Sequence, residues 1–392
     1  MLVSEMLNEL VDPQFHASGR AHEVWSWMRD HAPVHLHPSS AYPAFWSLTR
    51  YADVRSAYSD PESFSSASGV LLRPIKNGAD PGSGLTLALT DPPRHKQLRS
   101  LLSSQFTRRS VRDLEVALSL DVRSALMRAV QRGRCDFAHD IASRLSTLAM
   151  CHLVGIAPND EAKFLGWVTE AFSAGKPLTG HGPLVSYLMD LICSRMQGPG
   201  DDLVGRLTNP EACFTTLTEK EVLLNVENLI GASENAGLSM ASGMHALLEN
   251  PTQWQRLVRD RSLLGTAVDE ILRWSSSATH SMRTATRPVT IGGQHISTGE
   301  RLVLWVPSAN RDSNIFEDPY CFDIGRRPNR HLALGFGEHV CIGGVLARTQ
   351  LTLLLTEMLD VVGKIELDGP VVLTRSIAVS GPEHLPVRIV GR

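Results

Sequence analysis

The sequence has no uninterrupted apolar run of ~18 residues, the length a bilayer-spanning helix needs, so no membrane span is expected. Its N-terminus, MLVSEMLNELVDPQF, carries acidic residues and no basic stretch ahead of an apolar core. No secretory leader is expected from it, and a cytoplasmic protein is. There is no surplus of positive charge either. Lys and Arg number 38 against 41 Asp and Glu, a net charge of −3, and phosphate binding needs a marked basic excess. Nucleic acid is therefore not an expected partner. Cysteine is sparse, and none of Cys135, Cys151, Cys193, Cys213, Cys321 and Cys341 stands in CxxC or CxxCH spacing. Zinc ribbons, iron–sulfur motifs and covalently attached c-type haem are excluded, and a disulfide framework does not suit a reducing compartment. Most of the six are expected to be small buried hydrophobes. Internal repeats and low-complexity tracts are absent as well.

What is present is a hydrophobic content of 43% over 392 residues, ample for a large core. Breaks rich in glycine and proline at Asn77–Gly84, Gly175–Pro183 and Gln197–Asp202 read as surface loops inside one domain spanning 1–392. Three helices stand out. One is predicted to start at Asp91, an acidic N-cap, with Pro92 in the first turn. A second opens on the capping box Thr218-x-x-Glu221 and runs to Asn250, where Pro251 stops it, a rod of roughly 45 Å at 1.5 Å per residue. The third follows Cys341 through Val345, Leu346, Leu353 and Leu354 towards Gly363. Strand patterns are short: Pro43–Thr49, Val289–Ile291, Arg301–Val306 and Val387–Val390. The expected architecture is mainly α with small β-sheets.

The segment Leu334-Gly-Phe-Gly-Glu-His-Val-Cys-Ile-Gly-Gly344 places Cys341 where a glycine-rich loop turns into a helix. Gly335, Gly337 and Gly343 allow close backbone approach to a flat ligand. The helix N-terminus adds partial positive charge, which favours a thiolate. A lone cysteine at a tight turn is as readily a packing residue, so the other parts of the chain must decide.

Here the chain resembles the cytochrome P450 family in its soluble bacterial branch, from Trp46-Ser-Leu-Thr-Arg-Tyr-Ala-Asp-Val54 to His384-Leu-Pro-Val-Arg388. The cysteine loop matches at Gly335, Gly337, His339, Cys341 and Gly343, and departs at Leu334, where the family usually has phenylalanine. Glu270-x-x-Arg273 puts opposite charges on one helical face. The resemblance implies that they join Arg326 in a buried network. It also implies heme b (iron protoporphyrin IX) ligated by the Cys341 sulfur, with His95, Arg99, Arg283 and His339 donating to its two carboxylates. The fold implied is the single-domain, mainly α one of that family.

Gly231-Ala-Ser-Glu-Asn235 lies in the middle of the long helix, and its interior glycines, with Gly237, imply close approach by the haem face. The family pattern there is an acid followed by threonine, which together relay protons. This chain has Glu234 followed by Asn235. An amide donates and accepts hydrogen bonds but cannot pass a proton as a hydroxyl does. Either Asn235 still serves ordinary oxygenation as a polar donor, or proton delivery is weakened and another oxidation is favoured. The distal pocket implied by the resemblance uses Ser66–Leu85, Asn228–Asn235, Ser275–Met282 and Ile377–Val379, a mixed lining suited to a substrate of intermediate polarity. His280 within it either binds substrate or faces solvent.

The resemblance thus implies a dioxygen-dependent monooxygenase acting on a small organic substrate, a secondary metabolite. Electrons are expected from a separate ferredoxin- or flavodoxin-type donor with its reductase, docking near Arg108, Arg109, Arg330 and Arg348. The alternatives are a haem-thiolate oxidase performing coupling, desaturation or peroxide-driven chemistry, and a non-catalytic haem sensor.

Overall fold

The computed structural model describes residues 3–78, 80–172, 181–198, 200–209 and 217–392; the Gly175–Pro183 break falls largely outside them, and Cys213 lies outside them entirely. Among the described residues, no helix is long and apolar enough to cross a membrane. Helices dominate, and the sheets are small.

The long helix spans Glu219–Glu249, and its capping box forms as the sequence predicts. Thr218 Oγ1 accepts from the Glu221 N–H at 3.2 Å, and Glu221 Oε2 accepts from the Thr218 N–H at 2.9 Å. Along it Val226, Ile230, Met240, Met244 and Leu247 are buried, and they belong to the two largest apolar clusters. Two interior glycines have packing reasons. A Cβ on Gly243 would stand 2.7 Å from Ile271, and one on Gly237 would meet Ser146 and Ser143 at 3.1 and 3.2 Å. Gly237 therefore serves the approach of the neighbouring Phe137–Ser143 and Arg144–Val154 segments, not the approach of a haem face.

The cysteine helix runs Gly344–Val361 and passes straight into the Val362–Leu367 strand. The helix expected from Asp91 begins instead at Arg94 and ends at Ser103. The Asp91 carboxylate does not cap it, because it accepts from the Ser66 N–H at 2.8 Å and from the Ser65 hydroxyl. The expectation that most cysteines are buried also fails. Of the described ones only Cys151 is buried, while Cys135 is half-buried and Cys193, Cys321 and Cys341 are exposed.

A five-stranded sheet has the order Val34–His37, Phe45–Leu48, Arg301–Trp305, His280–Ala285, Phe64–Ser65. Phe45–Leu48 pairs with Arg301–Trp305 in parallel, and the remaining pairs are antiparallel. Successive side chains of His280–Ala285 alternate between two faces. Ser281 and Arg283 line a cavity beside the long helix, whereas Met282 packs on the other side with Leu72, Trp305 and Ile377. The sheet thereby carries one wall of the site.

Candidate haem site

The loop before the cysteine helix is shaped by two glycines in left-handed conformation, Gly335 at φ +69° and Gly337 at φ +71°. At Gly337 a Cβ would also lie 2.4 Å from the Tyr58 carbonyl oxygen, so no other residue fits. Gly343 has an ordinary φ of −79°; its contribution is its N–H, which hydrogen-bonds the Cys341 sulfur. The Cys341 N–H donates to the Leu334 carbonyl at 2.7 Å, closing the loop on itself. The exposed face of Cys341 opens onto the cavity. Burial pushes the thiol pKa up, while the Gly343 N–H and the Arg99 guanidinium act the other way.

The same cavity takes in His339 and Arg283 on the cysteine side and Asn235, Ala232 and Ala236 of the long helix opposite. His95 does not line it but packs behind His339, with ring centroids 4.0 Å apart. Arg99, one turn further along, donates to the Val340 carbonyl at 2.8 Å. Burial lowers the pKa of His339 to about 3, helped by Arg283, His95 and Arg99, and lowers that of His95 as well. Both ring nitrogens of His95 and Nε2 of His339 are buried without a protein partner. Of the nearby carboxylates, Asp91 is engaged by Ser65 and Ser66 and Glu338 Oε1 by Lys96 at 3.2 Å, while Glu338 Oε2 is buried without a partner. Buried donors without acceptors are costly, so this cluster of bases suits a ligand that carries its own carboxylates.

Glu234 and Asn235 part company. Asn235 lines the Cys341 cavity; its Nδ2 donates to the Ala232 carbonyl at 3.2 Å, and its Oδ1 has no partner. Glu234 faces a separate, smaller cavity with His139, Ser143 and Glu383. Burial pushes its carboxyl up to about 7.

Beneath the loop, Glu270 and Arg273 are fully buried and joined by two bonds of 2.8 Å. Arg326 Nε reaches the same carboxylate at 3.2 Å, as the sequence pattern implies. Two further donors were not legible: Asn329 Nδ2 at 3.0 Å and the Asp323 N–H at 2.9 Å.

The Cytochrome P450 family profile matches residues 208–361, which contain the long helix, the Glu270 pair and the cysteine loop. Cytochrome P450 NovI of Streptomyces niveus is 33% identical, over 98% of this chain and 96% of that protein. The chain belongs to the cytochrome P450 family. As a P450 it is an oxidoreductase of the haem-dependent monooxygenase class, with a haem iron as its cofactor. The steroid C26-monooxygenase of Mycolicibacterium smegmatis is 33% identical over 97% of this chain and 95% of that protein. The crystal structure of P450 OxyD, involved in the biosynthesis of vancomycin-type antibiotics, superposes with a TM-score of 0.91 at 29% identity, covering 97% of this P450 and 99% of OxyD. The mainly α, single-domain fold is thus that of known P450s.

A haem fits the residues present: a sulfur open to a cavity, and a base cluster with unpartnered nitrogens at its edge. Sequence reasoning missed Tyr58, whose hydroxyl donates to Ser281 Oγ at 2.9 Å and whose ring lies 5.4 Å from the Arg283 guanidinium. It lies in the last turn of the Tyr51–Ser59 helix, beyond the stretch to Val54 that carries the resemblance, so nothing in the sequence marks it. Of the four arginines expected near a docking face, Arg348 pairs with Asp269, while Arg108, Arg109 and Arg330 are exposed.

Proposed function

We propose that this P450 is a cytoplasmic, dioxygen-dependent monooxygenase of secondary metabolism, carrying heme b. It receives electrons from a separate ferredoxin- or flavodoxin-type donor with its reductase. The observation that carries the reading is the single cavity with the Cys341 sulfur on one side and Asn235 on the other. Haem with a thiolate ligand supplies the activation of dioxygen for insertion into an organic molecule. The residues of the chain hold it: Cys341 as the sulfur ligand, and His95, Arg99, Arg283 and His339 as donors to its carboxylates. Asn235 offers an amide to polar atoms in the cavity, and Glu234 exchanges protons with its own side cavity near neutral pH.

The cavity mixes apolar Phe106, Met150 and Leu229 with the hydroxyls of Ser146, Ser233 and Ser281, which suits a substrate of intermediate polarity. NovI, OxyD and the steroid oxygenase support an organic metabolite as substrate. A second reading is favoured by the Glu234 placement. With the acid turned to another cavity and an amide in the alcohol's place, coupling, desaturation or peroxide-driven oxidation becomes the competing chemistry. A screen for small molecules that shift the Soret band, followed by product identification, separates the two. Oxygen from labelled dioxygen in the product supports the first reading; products without added oxygen, or with oxygen taken from peroxide, establish the second. Haem retention tests the donors. His95→Ala and Arg283→Ala should each weaken haem binding by ~10- to 100-fold, one charge-assisted hydrogen bond apiece, and the double variant by more. Unchanged occupancy would remove both residues from that role.

A further inference from the structure

His280 is expected from sequence to touch substrate or solvent; the structure has it doing neither. It is 1% exposed and lies on the face of its strand opposite Ser281 and Arg283, against Trp305 at a ring distance of 5.3 Å. Its Nδ1 lies 3.0 Å from the Ile377 carbonyl, which only accepts, so Nδ1 carries the proton. Nε2 is then an acceptor, and it takes the Leu72 N–H at 3.0 Å. A neutral imidazole therefore joins two segments that are 305 residues apart in the chain, one on each side of its strand.

The two segments have different further ties; Leu72 is itself buried, and the Ile75 N–H donates to the Ala41 carbonyl at 2.9 Å. The turn at 374–381 has further ties to the strand region: the Thr279 N–H to Ala378 O at 3.0 Å, the Ser380 N–H to Ser277 O at 2.8 Å, and the Ala278–Val379 bridge. The other segment leaves the sheet at Val70, whose carbonyl accepts from the Met282 N–H at 2.7 Å. It arrives at the long helix, where Asn225 receives the Leu87 N–H at 2.8 Å and donates to the Leu85 carbonyl at 3.0 Å. The strand and the long helix both line the Cys341 cavity, so the two ends of this segment, at Val70 and at Leu85–Leu87, are each tied to an element of its wall.

We propose that His280 is a positioning residue: as a neutral imidazole it fixes the backbone at Leu72 against the strand that carries Ser281 and Arg283, and so sets how the chain leaves this wall of the Cys341 cavity for the long helix. That the cavity takes substrate rests on the function proposed above, whereas the anchor itself does not. Protonation would turn Nε2 into a donor facing the Leu72 N–H, another donor. Burial guards against this by lowering the pKa to about 4, opposed by the Ile377 bond and aided by His16, the titratable group that faces it from the Pro13–Ala17 helix. The Thr279 hydroxyl is committed to the Ile377 carbonyl and offers no substitute.

The test is amide exchange at Leu72 and Leu87 in the haem-loaded protein, for wild type, His280→Phe and His280→Gln. The phenylalanine fills the space without an acceptor, whereas the glutamine carbonyl restores one. Exchange at Leu72 should rise roughly ten-fold in His280→Phe, one hydrogen bond's worth, with Leu87 unchanged and Leu72 largely restored in His280→Gln. The Kd of 4-phenylimidazole, read from the Soret shift, should rise with it and recover with it. Should the phenylalanine variant not fold, wild type titrated from about pH 7 towards pH 4 should lose protection at Leu72 before Leu87. Leu72 exchange at the wild-type rate, equal acceleration at both amides, or a glutamine variant no better than phenylalanine would overturn the proposal. Loss of local protection together with an absence of oxygenation products would leave the anchor standing and sink only the assigned function.

Discussion

Glu234 and Asn235 are adjacent in the long helix yet open onto different cavities, Asn235 onto that of Cys341 and Glu234 onto one shared with His139 and Glu383. An α-helix turns by about 100° per residue, so neighbours must look in different directions. The acid can act on the oxygen side only through groups between the two cavities, and its environment is set by its own.

That environment makes Glu234 a pH-dependent liability. Burial holds its pKa at about 7 against an ordinary 4.5. Between those values the folded protein keeps a proton that the unfolded chain has lost, so this group lowers stability as pH rises and does so fully above 7. Glu234→Gln should therefore gain about 3 kcal/mol over wild type between roughly pH 4.5 and pH 8. Urea unfolding at both pH values reads it, and parallel stabilities would show that the carboxyl is solvated. If Glu234 also delivers protons, turnover should lose its titration near neutral pH in the same variant.

Asn235→Thr tests the amide. Its Oδ1 has no protein partner, and its Nδ2 is spent on the Ala232 carbonyl. A threonine hydroxyl both donates and accepts, and can pass a proton. The fraction of reducing equivalents recovered in product should rise, and peroxide release should fall. A variant that gains nothing, or that loses the native product while beginning to hydroxylate, would favour the chemistry without a proton relay.

The Glu270 network should be the most sensitive electrostatic element of the fold. Its carboxylate compensates the fully buried Arg273 and also receives Arg326, Asn329 and the Asp323 N–H. Glu270→Gln leaves a guanidinium without its counter-charge, at a cost of about 3–5 kcal/mol. Chemical denaturation should show that loss, and haem occupancy should fall with it because Arg326 and Asn329 precede the cysteine loop in the chain. A cost below about 1 kcal/mol, the range of an exposed pair, would show that the network is not what holds this region.

The parts legible in the sequence are those fixed by local chemistry. Thr218 and Glu221 cap the long helix because both partners lie within one turn, and Gly337 shows its need for positive φ in its residue type. Glu270 and Arg273 pair because their spacing puts them on one face. What failed depends on distant competitors. Asp91 does not cap the helix after it because Ser65 and Ser66 claim its carboxylate from the far side of a loop. His280 lies behind its strand because pairing with Trp305 fixes which parity faces the cavity, and a short strand with polar residues on both faces does not announce that parity. The partition of Glu234 from Asn235 follows from helical geometry, but which cavity each meets depends on the packing of the Phe137–Ser143 segment and of Glu383.

The central claim, a haem ligated by the Cys341 thiolate, is tested most directly by the absorption spectrum of the reduced, carbon-monoxide-treated protein, wild type beside Cys341→His. The wild type should give the long-wavelength Soret band that thiolate ligation produces, and the histidine variant should retain haem with the band moved to shorter wavelength. A fully folded, haem-loaded wild type whose band already stands at the histidine-ligated position, unmoved by the substitution, would contradict the account.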